Sequence, residues 1–67
     1  MIVKDRIHIG DLVEVTLFIG PQSERAFQGF VQYMPLSLED SWIFLDTDGN
    51  IRYVREFIQI IKAKPKS

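Results

Sequence analysis

Four carboxylates stand in two close sets, Glu39-Asp40 and Asp46 with Asp48, and paired carboxylates are the usual material of general acid–base catalysis. That chemistry needs groups that converge in a cleft with shifted pKa values, and adjacency along a chain supplies neither. Asp46-Thr47-Asp48-Gly49-Asn50 has the look of a calcium loop. An EF-hand loop, however, spreads its ligands over about twelve residues, closes on a glutamate and sits between helices. A tight hairpin turn accounts for the same five residues. Ser23, Ser37 and Ser41 would need a histidine base, and the single His8 has no evident partner and reads as a surface or strand-edge residue. The chain has no cysteine, which excludes disulfides and thiolate-held zinc. The expectation is therefore a protein that is not an enzyme, with no cofactor and no metal site.

Binding is the remaining kind of function. Arg52 and Arg55 lie close together, and Tyr33, Trp42, Phe44 and Tyr53 offer ring faces on which nucleic-acid bases stack. In so short a chain most aromatics are needed for packing. Tyr33 and Tyr53 are the better candidates because a hydroxyl tolerates a wet rim. Arg55 also reads as a surface ion-pair partner of Glu56 or Glu39. Eight Lys/Arg against nine Asp/Glu leave a net charge of −1, so any polyanion contact has to come from a local patch. The basic tail Lys62-Ala63-Lys64-Pro65-Lys66-Ser67, with Lys4 and Arg6 near the other end, reads as solubilising termini.

The elements that must position these residues are strands. Gly10-Asp11 marks a turn, and Leu12 to Ile19 then places Val13, Val15, Leu17 and Ile19 on one face. A polar loop over Gly20 to Arg25 precedes a second strand, Ala26 to Met34, with Phe27, Gly29, Val31 and Tyr33 sharing a face. Glycine inside a strand implies a sharp bend or a close backbone approach. Pro35 stops that strand. Trp42–Leu45, the Asp-Gly hairpin, Ile51–Val54, the Arg55-Glu56 link and Phe57–Ile61 complete a five-stranded, strongly bent SH3-like or Sm-like barrel. This all-β class leaves a short N-terminal turn as the only helical candidate. One domain spans residues 1–67, with the basic tail at 62–67.

A domain this small buries only about 60% of the surface its unfolded chain exposes. Yet Leu12, Phe18, Phe30, Met34 and Phe57 oppose the faces already assigned to the core. Faces apolar on both sides, together with unprotected strand edges, predict that the barrel associates with copies of itself. No apolar run follows the charges of Met1-Ile2-Val3-Lys4-Asp5-Arg6, so no secretory signal is expected. No stretch approaches the ~18 apolar residues of a membrane span. A soluble, cytoplasmic protein without membrane contact is the expectation.

Gly10-Asp11-Leu12-Val13-Glu14-Val15-Thr16-Leu17, then Phe27-Gln28-Gly29-Phe30-Val31, resembles the opening of the Sm motif. Trp42-Ile43-Phe44-Leu45, the hairpin and Tyr53 to Ile61 are similar to its closing segment. Over residues 10–62 the chain resembles the Sm-like family, in the manner of a divergent phage or bacterial member. The resemblance implies a cyclic pentamer to heptamer joined edge to edge through Tyr53, Val54, Phe57, Ile58 and Ile60. It also implies single-stranded RNA at a central pore, held by Arg55 and Asp40, to which residue chemistry adds Tyr33 and Arg52 as candidates. Arg55 matches the arginine of the family's second RNA-contacting loop, but Glu56 replaces the glycine that follows it there. Asp40 stands near the aspartate of the first loop, whose asparagine is missing. The competing expectation is an SH3-like protein-interaction or assembly module that binds no nucleic acid.

Overall fold

Val13 and Val15 are wholly buried while Glu14 and Thr16, which alternate with them, are only half covered, the period-two pattern of a strand with one face on a core. The computed structural model describes residues 2–20, 23–37 and 39–63. Its strands are β1 (Ile2–Val3), β2 (Leu12–Gly20), β3 (Ser23–Tyr33), β4 (Trp42–Asp46), β5 (Ile51–Val54) and β6 (Gln59–Lys62). They form one sheet in the order β1-β6-β2-β3-β4-β5. Every neighbouring pair is antiparallel except β1 with β6.

The fold is all-β, with three departures from the expected elements. A sixth strand, β1, lies along the outer edge of β6, where Ile2 and Lys4 donate their N–H groups to the carbonyls of Ile58 and Ile60. The N-terminal stretch expected as a helical turn is that strand and the loop after it; no helix occurs among the described residues. The sheet is also open, since hydrogen bonds do not join β1 and β5, its two ends. No helix among the described residues is long and apolar enough to cross a membrane.

The β2–β3 hairpin runs further than the polar composition of its loop suggested, with Gly20 still paired to Ser23. Pro21 and Gln22, within the expected loop, lie outside the described residues. At the other hairpin, Gly49 takes φ +87° and donates to the Asp46 carbonyl, while Asp46 donates to that of Asn50. Gly49 is the residue of the Asp-Gly pair that adopts positive φ, as a three-residue loop with a bulge requires.

The core holds Val13 and Val15 of β2, Val31 of β3, Phe44 of β4, Val54 of β5 and Ile60 of β6. Ile7 and Phe57, from the connections before β2 and before β6, complete it. Phe57, expected among the surplus apolar residues, is thus a core residue. Met34 also packs partly buried against this cluster, whereas Phe18 and Phe30 are exposed.

Gly29 is where β3 comes closest to β4. A Cβ built there would lie 3.0 Å from the Leu45 carbonyl oxygen and 3.3 Å from the Asp46 Cα. Both are backbone atoms held in the ladder that pairs Gly29 with Asp46 and Phe30 with Leu45. Two residues on, β3 carries a bulge: Val31 pairs with Phe44 but Tyr33 pairs with Ile43, leaving Gln32 as the extra residue. The bulge resets the alternation, so Tyr33 points away from the face that Val31 shares with the core. That is why Tyr33 is exposed although strict alternation groups it with Phe27 and Val31.

Gly29→Ala should lower the stability by about 1–3 kcal/mol, as overpacking against fixed backbone does, and Gly29→Val by more. Ile9→Ser, at an exposed turn position, should stay within about 0.5 kcal/mol of the parent. Urea unfolding of the three variants reads both differences.

Candidate functional site

A cleft of about 260 Å³ lies at Phe57, a seam lined on one side from β1 and on the other from β4 and the residue that follows β5. Val3 lines it from β1 and Trp42 from the start of β4, with Pro35 and Leu36 from the β3–β4 connection. Its polar lining is Ser37, Asp40 and Arg55. Each position has a local cause. Pro35 ends β3 because it has no N–H for the ladder. The following residues turn through an N–H to carbonyl bond from Asp40 to Ser37 and a bond from the Glu39 N–H to the Ser37 hydroxyl oxygen.

Trp42 is fixed from two sides. Its ring stacks on Phe44 at 5.9 Å and 7°, and Phe57 meets it edge-on at 5.9 Å and 85°. Phe44 is itself met edge-on by Phe27 at 5.7 Å. The indole is therefore a rigid wall of the cleft, continuous with the core. Leu36, by contrast, is fully exposed at the rim.

Arg55 and Asp40, two of the four residues expected to hold RNA, both line this cleft. Arg55 forms no ion pair with Glu39, Asp40 or Glu56 among the described residues. The other two lie elsewhere. Tyr33 is on the outer face of the sheet, turned there by the bulge. Arg52 donates from Nε to Asp46 at 2.8 Å and lies 5.3 Å from the Phe27 ring centre, so it serves the hairpin and the end of the core.

Among the residues expected at an interface between copies, Val54, Phe57 and Ile60 are buried within the protomer, which places their side chains in its own core. Ile58 is half-buried, and its N–H donates to the Thr16 carbonyl. Only Tyr53 presents a largely free side chain, 72% exposed.

Asp46 is the polar residue whose role the sequence concealed. It is 5% exposed, and its oxygens accept from Arg52 Nε, from the Asp48 N–H at 3.0 Å and from the Asn50 N–H at 2.8 Å. The hydrogen bond from Arg52 above all, and then that from Asn50, hold its carboxyl below the ordinary carboxylate range against the opposing effect of burial. Both oxygens are thus engaged in closing the hairpin, which is the turn reading of the Asp46–Asn50 run. His8 is exposed in the loop before β2, with Nδ1 3.6 Å from Asp11, and Lys62 approaches the same carboxylate at 3.8 Å.

The cleft is smaller than the roughly 300–1,000 Å³ of typical small-molecule sites. It suits one or two anchoring side chains of a larger partner better than a whole metabolite. Its lining is mainly apolar, with one base and one acid, so it is not a concentrated phosphate-binding surface. Comparison with protein-family models, with curated proteins and with solved structures found no match to this chain.

A group whose folded pKa is depressed contributes stability above its unfolded value and loses it as pH falls through the folded one. Asp46→Asn should therefore lower the urea midpoint at neutral pH. Its difference from the parent should shrink as pH drops below about 4, the ordinary aspartate range. Paired urea titrations at neutral and acid pH measure this.

Proposed function

We propose that the chain is an SH3-like protein-interaction module that captures an extended protein segment in the seam cleft, without catalysis. The observation that carries this reading is the lining of the cleft. A fixed indole, a proline and a phenylalanine stand beside one acid and one base, Asp40 and Arg55. Such a surface takes an apolar anchor residue with a charged neighbour, as aromatic-lined grooves do for extended peptides. A polyanion would gain little from a single arginine beside an aspartate.

A second reading, a homo-oligomeric Sm-like ring binding single-stranded RNA, draws support from the same place. Arg55 and Asp40 both line the cleft that Trp42 and Phe57 also line. Two observations favour the first reading over it. β1 covers the outer edge of β6, so pairing that edge with a neighbouring copy would displace the bonds from Ile2 and Lys4. Arg52 is engaged with Asp46 rather than free for phosphate.

Selection from a library of short random peptides should yield binders with a recurring apolar anchor. Leu36→Asp and Arg55→Glu alter exposed side chains and should each weaken such binders by about tenfold or more (~1.4 kcal/mol or more) while leaving the fold intact. Short U-rich and A-rich RNAs, titrated by fluorescence anisotropy, should not bind at low salt. Salt-sensitive RNA binding abolished by Arg55→Glu, with no peptide binder found, would reverse the order of the two readings.

A further inference from the structure

Strand register sorts the apolar residues outside the core into two rows. Leu12 pairs with Phe30, Phe30 with Leu45 and Leu45 with Ile51, one continuous line across β2, β3, β4 and β5. Tyr33 pairs with Ile43 and Ile43 with Tyr53, a second line beside it. Directly paired residues point to the same side of a sheet. This side is opposite to that of Val13, Val31 and Phe44, which are wholly buried. The bulge in β3 completes the second row by turning Tyr33 outward.

Neither row contains a charged residue; Glu14, paired with Gln28, is the next residue on the same side of β2. Phe30 is 41% exposed, Tyr33 42%, Ile51 51% and Tyr53 72%. At roughly 200 Å² for a large side chain, the exposed parts of these four come to on the order of 400 Å². A patch of this size is comparable to the largest on a typical monomer, about 300–600 Å², which is often a functional surface.

We propose that a second copy of the chain covers this face, the two sheets packing face to face about a two-fold axis. Three observations select a copy of itself as the occupant. The area fits: two such faces supply on the order of 800 Å² of apolar surface, about half of a standard interface of about 1,600 Å² and close to the usual apolar share. The charge fits, because rows without charged residues meet themselves without repulsion, and the protomer's net charge is only −1. The size fits, since a cysteine-free chain of 67 residues lacks the staples that small domains otherwise use. Face-to-face packing uses Phe30 and Tyr33 in the middle of the sheet, which strand pairing along the β5 edge would leave in water. Tyr53, the most exposed of the four, ends its row on the edge strand β5, where a copy packed on this face would cover its ring.

Sedimentation equilibrium of the full chain at high micromolar concentration should give twice the chain mass of 7.8 kDa. Tyr53→Glu and Phe30→Lys should each weaken the dimer by more than about tenfold while circular dichroism keeps the β signature. Should either variant fail to fold, the parent protein still decides. Nitration of Tyr53 by tetranitromethane should slow as protein concentration rises through the dimerisation range. A parent chain that stays monomeric, a mass of five or more copies, a dimer indifferent to both substitutions, or a nitration rate independent of concentration overturns the proposal. Leu36→Asp, on the seam cleft, should leave the mass unchanged, so the failure of peptide binding and the failure of dimerisation are read separately.

Discussion

The approach of β3 to β4 at Gly29 is the contact on which the rest of the molecule depends. With no Cβ at that position, the Leu45 carbonyl and the Asp46 Cα come within a distance that any side chain would contest. The pairing of Gly29 with Asp46 sets the register of β4, and the β4 hairpin then sets that of β5. Register decides which side of the sheet each residue faces, because slipping by one residue exchanges core and surface. Phe44 is thereby committed to the core, while Leu45 and Ile43 are committed to the outer side. The bulge at Val31–Tyr33 edits this assignment once, moving a single tyrosine from the inner to the outer set.

Asp46 secures the far end of the same ladder. A buried carboxylate is unfavourable unless its oxygens are matched by donors, and here Arg52, Asp48 and Asn50 supply them. The side chain of Arg52 then lies against Phe27, closing that end of the core. Polar chemistry that reads from the sequence as a ligand set or a phosphate contact is in fact the closure of a hairpin. Its donors and acceptors are satisfied internally.

The cleft and the outer face share one origin. The six-stranded sheet is not closed by hydrogen bonds, and no further element among the described residues covers its second side. The opening leaves the seam that Val3 lines together with Trp42, Phe57 and Arg55. The uncovered side leaves the two apolar rows. β1 relieves part of the problem by pairing with the edge of β6, at the expense of an edge that could otherwise receive another chain.

Much of this fold is legible in the residues. The alternation of Val13, Val15 and Leu17, the stop at Pro35, the Asp48-Gly49 turn and the glycine within a strand all state local preferences, and local preference survives into the structure because backbone sterics set it. That Arg55 and Asp40 line one cleft was legible only as a family likeness, and the surplus of apolar side chains only as a total. Tertiary structure decided the assignments that depend on register. Phe57 and Ile60 went to the core, Tyr33 and Tyr53 to the outside, Arg52 to Asp46, and Ile2–Val3 to an edge beyond the expected strands. The physical reason is that a strand has two equivalent faces until a partner fixes one of them. One extra residue, Gln32, is enough to exchange the faces for all that follows in that strand.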